Sequence, residues 1–148
     1  MPLPPFNAVG DLPPGVHRAT LREVLARLGQ GSPRRVAVAS RLVRIDHLAR
    51  STGNLARLVV FGSFVTKKPE PNDIDIFLLM EGSFEVASVV GEARLLFDHA
   101  AADAHFGASV FWMRRMAAFG GEQAAVDFWQ TKRDGGLRGI VEIESELP

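Results

Sequence analysis

The chain has no cysteine, no excess of either charge and no run long enough to span a membrane. Each absence removes a class of protein. Without cysteine there are no disulfides and no thiolate metal site, which favours a cytoplasmic location. Lysine plus arginine balance aspartate plus glutamate at 17 each. The global basic excess that accompanies nucleic-acid binding is therefore missing, although a local cluster can still serve. The proline-rich N-terminus lacks the basic and apolar blocks of a signal peptide. No internal repeat, low-complexity tract or linker divides the 148 residues. The expectation is one cytoplasmic domain, 1–148, without membrane association and with room for a core.

Along the chain, residues 1–19 are expected to run extended over the surface, because their prolines lack donors. Phe6 and Leu12 would anchor them. Thr20-Leu21-Arg22-Glu23 fits a capping box and Gly29 a stop, so Leu21 to Leu28 should be helical. Ser32-Pro33 opens a second helix that runs to Ser51-Thr52-Gly53. Val36, Ala39, Leu42, Val43 and Ala49 would form its inner side. Arg34, Arg35, Arg41, Arg44 and Arg50 would form a solvated basic face. Ser83 to Ala102 reads as one helix with Val86, Val89, Val90, Ala93, Leu96, Phe97 and Ala100 inward. Ala108 to Trp112 reads as a strand, Glu122 to Thr131 as a helix, and Gly139 to Ile143 as a last strand after the turn Asp134-Gly135-Gly136. The class is α+β, a small mixed β-sheet packed against helices.

The informative stretch is Leu58-Val59-Val60-Phe61-Gly62-Ser63, a polar loop through Pro71-Asn72, then Asp73-Ile74-Asp75-Ile76-Phe77-Leu78-Leu79. It reads as a buried strand, a Gly-Ser turn and a second buried strand opened by two carboxylates. Residues two apart in a strand share a face, so Asp73 and Asp75 aim the same way. Two like charges side by side are costly unless a cation sits between them. Hard divalent ions such as magnesium suit that pair and bind phosphate through it. The turn Gly62-Ser63 can offer backbone N–H groups and a hydroxyl to the phosphate. A plain charged strand entrance would use the same residues.

Gly62-Ser63 followed by Asp73-Ile74-Asp75 resembles the signature of the polymerase-β-like nucleotidyltransferase superfamily. The chain as a whole resembles a bacterial branch of small nucleotidyltransferase-like proteins. The likeness runs through Pro4-Pro5-Phe6-Asn7 to His17, Gly62 to Asp75, and Phe128-Trp129-Gln130 to Val141. It implies a nucleotidyltransferase-like fold and transfer of a nucleoside monophosphate from a nucleoside triphosphate to a hydroxyl on protein, RNA or a small molecule. Asp73 and Asp75 would be catalytic and hold magnesium or manganese. Gly62, Ser63, Thr66, Lys67 and Lys68 would bind the nucleotide. The partners implied are the nucleoside triphosphate, an RNA acceptor or a toxin-like protein, and a further copy of the chain.

One departure matters. The resemblance puts a third carboxylate at the position held by Ser109, and a neutral hydroxyl is neither an anionic metal ligand nor an effective base. Asp103, His105 and Glu142 are the candidate substitutes. If none serves, the resemblance implies a catalytically impaired homologue acting as a binding or regulatory module, such as the antitoxin of a toxin–antitoxin pair. Phe106, Phe111, Trp112, Phe119, Phe128 and Trp129 read as core. Trp129 to Arg133 could alternatively wall a nucleotide pocket. Arg114-Arg115 reads as a solvated pair or a phosphate contact, and His17 and His47 have no role assigned.

Overall fold

Alternating apolar residues and side-chain caps decide the architecture. The computed structural model describes residues 3–145. Among the described residues five strands form one mixed sheet: β1 (Val16–Thr20), β2 (Leu55–Phe61), β3 (Ile74–Met80), β4 (Ala108–Arg114) and β5 (Ile140–Glu144), in the order β1-β5-β2-β3-β4. The pairs β1/β5 and β3/β4 are parallel, while β2 is antiparallel to both its neighbours. The α-helices are α1 (Leu21–Leu28), α2 (Pro33–Ser51), α3 (His99–Phe106) and α4 (Glu122–Asp127). This is the expected α+β layer of mixed sheet and helices.

The first two helices begin where their caps dictate. Thr20 Oγ1 accepts from the Glu23 N–H while Glu23 Oε1 accepts from the Thr20 N–H, and the chain leaves the helix at Gly29. Ser32 Oγ accepts from the Arg35 N–H, with Pro33 in the first turn of α2. Each such cap contributes about 1 kcal/mol.

Strand alternation gives the sheet two unlike faces. Leu58 and Val60 of β2, Ile76 and Leu78 of β3, and Val141 and Ile143 of β5 turn toward α1, α2 and α3. There they meet Val24, Leu28, Val38, Leu42, Ile45 and Phe106 in the main core. Val59, Phe77, Leu79 and Ile140 face the other side, where Val126 of α4 and Trp129 cover them. That cover stops short of the start of β3, and Asp75 lies on this second face.

Several expectations are corrected. Ser83 to Ala102 is a succession of short elements: 3-10 turns at Val86–Ser88 and Gly91–Phe97, then α3. The β-branched Val86, Val89 and Val90 are stiff in a helix. Gly91 takes φ +71°, which a right-handed helix excludes. Asp98 is extended and accepts from the Ala101 N–H, starting α3 afresh. Val90 and Ala100 are consequently exposed.

On α2 the inner stripe is Val38, Ala39, Leu42, Ile45 and Ala49, while Val36 and Val43 face solvent. Arg35 lies buried within that stripe, Arg34 is exposed as expected, and the remaining three arginines of the face are engaged. Arg41 donates to the Gly107 carbonyl, Arg44 pairs with Glu92, and Arg50 pairs with Asp46.

Among the aromatics, Phe119 and Phe128 are exposed and Phe111 is 37% exposed, so these three are not core. The N-terminal segment runs extended with Leu3 and Leu12 buried and Phe6 half-buried, but from Val16 it joins the sheet as an edge strand. Met1 and Pro2 of that segment lie outside the described residues. No helix among the described residues is long and apolar enough to cross a membrane.

Candidate functional site

Gly62 ends β2 with φ 79° and ψ −161°, a conformation that side-chain-bearing residues avoid. A Cβ at this position would overlap the Asp75 carboxylate, contacting Oδ2 and Cγ. The glycine thus serves both a sharp turn and close approach of backbone to acid. A single 3-10 turn, Ser63–Val65, follows, with Phe64 and Val65 packed into the core. Thr66 Oγ1 donates to the Ser63 carbonyl at 2.7 Å and accepts from the Lys68 N–H at 3.2 Å, closing the loop.

Arg35 holds this loop from behind. Its guanidinium donates to the carbonyls of Leu28 and Phe64 at 3.0 and 2.9 Å, and to those of Thr66 and Lys68 at 2.5 Å each. No carboxylate pairs with it among the described residues, and burial lowers its pKa. Carbonyl oxygens therefore solvate a cation that is only 7% exposed.

Asp73 immediately precedes β3 and Asp75 is its second residue. In register, Asp75 stands between Phe61 of β2 and Ser109 of β4. Its carboxyl is pushed up to about 6, first by burial and then by the charge of Asp73. Arg138, a hydrogen bond from the Ser109 hydroxyl and Arg133 pull the other way without prevailing.

Around these acids opens a cleft of about 840 Å³. One wall is the turn at Gly62 and Ser63 with Lys68 and Asn72; another is aromatic. A third is the hairpin in which Thr131 bridges Leu137, bringing Lys132, Arg133 and Asp134, with Arg138 just beyond. Lys132 pairs with Asp11 at 3.1 Å, and Arg138 approaches the same carboxylate at 3.8 Å. Among the described residues the Ser63 hydroxyl, the Lys68 ammonium, the Asp73 carboxylate and the Arg133 guanidinium have no hydrogen-bond or ion-pair partner. Those groups remain available to a ligand.

A family model described as a family of unknown function, DUF6932, matches residues 4–144. The chain belongs to the DUF6932 family. The matched span contains every strand and helix described above, and with them Gly62, Ser63, Asp73, Asp75 and Ser109. No curated protein and no solved structure matches the chain.

In this DUF6932 chain the cleft gathers Gly62, Ser63, Lys68, Asp73, Asp75 and Ser109 and leaves two of the expected nucleotide-binding residues elsewhere. Thr66 and Lys67 line a separate groove with Val9, Gly10 and Pro69. The candidate substitutes for a third acid do not line the cleft. Asp103 is exposed on α3, His105 pairs with Glu92, and Glu142 pairs with Arg57. Arg114 and Arg115 are also engaged away from it, with the Phe84 carbonyl, Glu81 and Glu122. His17 rests on the Pro13 carbonyl at 2.6 Å.

Phe61, His99, Phe111 and Arg138 line the cleft without a functional reading in the sequence. His99 opens α3 and donates through Nδ1 to the Val110 carbonyl at 3.3 Å, a placement hidden by the apolar spacing of residues 83–102. Phe61 passes as one more apolar strand residue, and Arg138 belongs to no periodic pattern. The order Gly62, Asp75, Ser109 across three neighbouring strands is the retrievable signal.

The donor set suits one hard divalent ion. Asp73 and Asp75 present two oxygen donors side by side, and the burial and mutual repulsion that raise Asp75 are what a bound cation relieves. Among the described residues no group of three His, Cys, Asp or Glu side chains is placed to hold a metal.

Proposed function

We propose that this chain is a nucleotidyltransferase-like protein that binds a nucleoside triphosphate in the cleft and transfers its monophosphate unit to a hydroxyl. The observation carrying this reading is the juxtaposition of Asp73 and Asp75 with the Gly62-Ser63 turn, faced by the unpaired cations Lys68 and Arg133. The mixed sheet with its main helices on one face is compatible with a nucleotidyltransferase-like fold. Asp73 and Asp75 would hold magnesium or manganese, which when bound supplies Lewis-acid polarisation and neutralises phosphate charge.

The protein's own contribution is position and charge. Ser63 and the backbone at Gly62 orient the outer phosphates, and Lys68 and Arg133 offset their charge. The acceptor oxygen attacks the α-phosphorus as the bond to the bridging oxygen breaks. Pyrophosphate leaves with the electron pair, and the hydroxyl proton passes to water. Acceptors consistent with this chemistry are a protein, an RNA or a small-molecule hydroxyl.

The test is transfer of label from α-labelled ATP, GTP, CTP or UTP with magnesium, using wild type and Asp73→Asn. Label transfer in wild type that disappears in a folded Asp73→Asn protein is expected. An equal rate in the variant sinks the assignment.

Ser109 favours a second reading. It occupies the register position beside Asp75 and contributes a hydroxyl rather than an anion. A protein so equipped binds nucleotide but transfers poorly, and would act as a binding or regulatory module of the antitoxin type. Nucleotide binding without transfer, together with copurification of a small helical partner, is its signature. Strictly monomeric behaviour with no partner counts against it.

A further inference from the structure

We propose that the cleft carries a nucleobase subsite beside the carboxylates: an aromatic shelf of Phe61, Phe111 and Trp129 on which the base of a nucleoside triphosphate stacks. This rests on the phosphate-site reading above and places the part of the ligand which that reading leaves unplaced.

Phe111 stands two residues beyond Ser109 on β4, and its register partner Phe77 stands two beyond Asp75 on β3. Two residues along a strand keep to the same face, about 7 Å further on. Phe111 thus stands one residue pair beyond the acid row, while Phe61, the register partner of Asp75 on β2, flanks the acid directly. Phe77 and Leu79, on the same face, are buried, whereas Phe111 is 37% exposed.

The exposed ring is continuous with others. Trp129 lies 4.9 Å from Phe111 and stacks on Phe61 at 4.5 Å, and His99 lies 4.9 Å from Phe111. All four side chains line the cleft that contains Asp75. Covering this shelf with a further apolar element would also bury Asp73 and Asp75, at a cost in desolvation. A surface apolar at one end and charged at the other fits a flat ring joined to phosphates. Stacking depends little on which base is present, so the shelf gives affinity for nucleotides over bare polyphosphate.

Calorimetric titration with Mg-ATP and with magnesium tripolyphosphate separates the shelf from the phosphate site. Wild type is expected to bind ATP about tenfold more tightly than tripolyphosphate, at the lower end of base–aromatic stacking. In Phe111→Ala the ratio falls toward one. Phe111→Leu keeps apolar bulk without a π-face and recovers only part of it. Equal affinities in wild type, or a ratio that survives Phe111→Ala, overturn the shelf and leave the phosphate site standing. Binding of neither ligand overturns both.

Discussion

On β3, Ile74, Ile76 and Leu78 turn toward the helices and are fully buried, whereas Asp75 turns the other way into an open cleft. The two faces of one strand therefore meet different demands. The helix-covered face is closed by aliphatic packing from α1, α2 and α3. The opposite face has a smaller core around Val59, Phe77, Leu79, Val126 and Ile140, and at its edge stand two acids, Asp73 and Asp75. A similar contrast runs across the Gly62-Ser63 turn. Behind it lies Arg35, a buried cation satisfied by four carbonyls; in front lies Asp75, an acid whose carboxyl sits at about 6. The side behind the turn is closed by these contacts, and the side in front of it opens on the cleft.

Adjacent substitutions on β3 should break the two faces in opposite directions. Ile76→Ala leaves a cavity in the main core and is expected to cost about 3 kcal/mol, lowering Tm by roughly 10 °C. Asp75→Asn removes a charge that burial and Asp73 disfavour. In metal-free protein near neutral pH it is expected to raise Tm by about 3 °C, after discounting for solvent screening. It should also reduce transfer at least about a hundredfold, the loss expected when a metal ligand is removed. Thermal scans with a transfer assay check both; a destabilised Asp75→Asn protein would contradict the electrostatic account.

Ser109→Asp adds an acid to the cleft face of the sheet. The register beside Asp75 directs the new carboxylate to the same cleft. Transfer is expected to rise about tenfold or more with magnesium, while metal-free Tm falls slightly because a third like charge is added. An unchanged rate would show that the serine does not limit the reaction.

Much of this was legible beforehand because the relevant signals are local. The Thr20 capping box, the Ser32-Pro33 start and the alternation around Asp75 each rest on neighbours within a few residues. What escaped depends on distant partners. Arg35 looks like one more surface arginine until the loop carbonyls of Phe64, Thr66 and Lys68 come round to it. Arg138 and His99 reach the cleft only through the packing of the hairpin and α3. The apolar spacing over residues 83–102 imitates a helix because successive 3-10 turns also bring every third or fourth residue inward.

A smaller change is expected in the pH dependence of stability. The folded protein raises the Asp75 carboxyl from 3.8 to about 6, so between those values it holds a proton the unfolded chain has released. Unfolding in that window releases the proton, and the Asp75 contribution to stability falls as pH rises from about 4 to about 6, then levels off. Urea midpoints compared between wild type and Asp75→Asn across pH 4 to 7 isolate this contribution. The variant's advantage should grow up to about pH 6 and stay constant above it. Proton competition should correspondingly weaken metal binding below about pH 6.

The most direct measurement is calorimetric titration of ATP, GTP, CTP and UTP with magnesium into wild type and Asp73→Asn. The expected result is binding of at least one nucleotide that requires magnesium and is lost in a folded variant. Absence of binding by all four, or binding that is indifferent to both magnesium and Asp73, would contradict it.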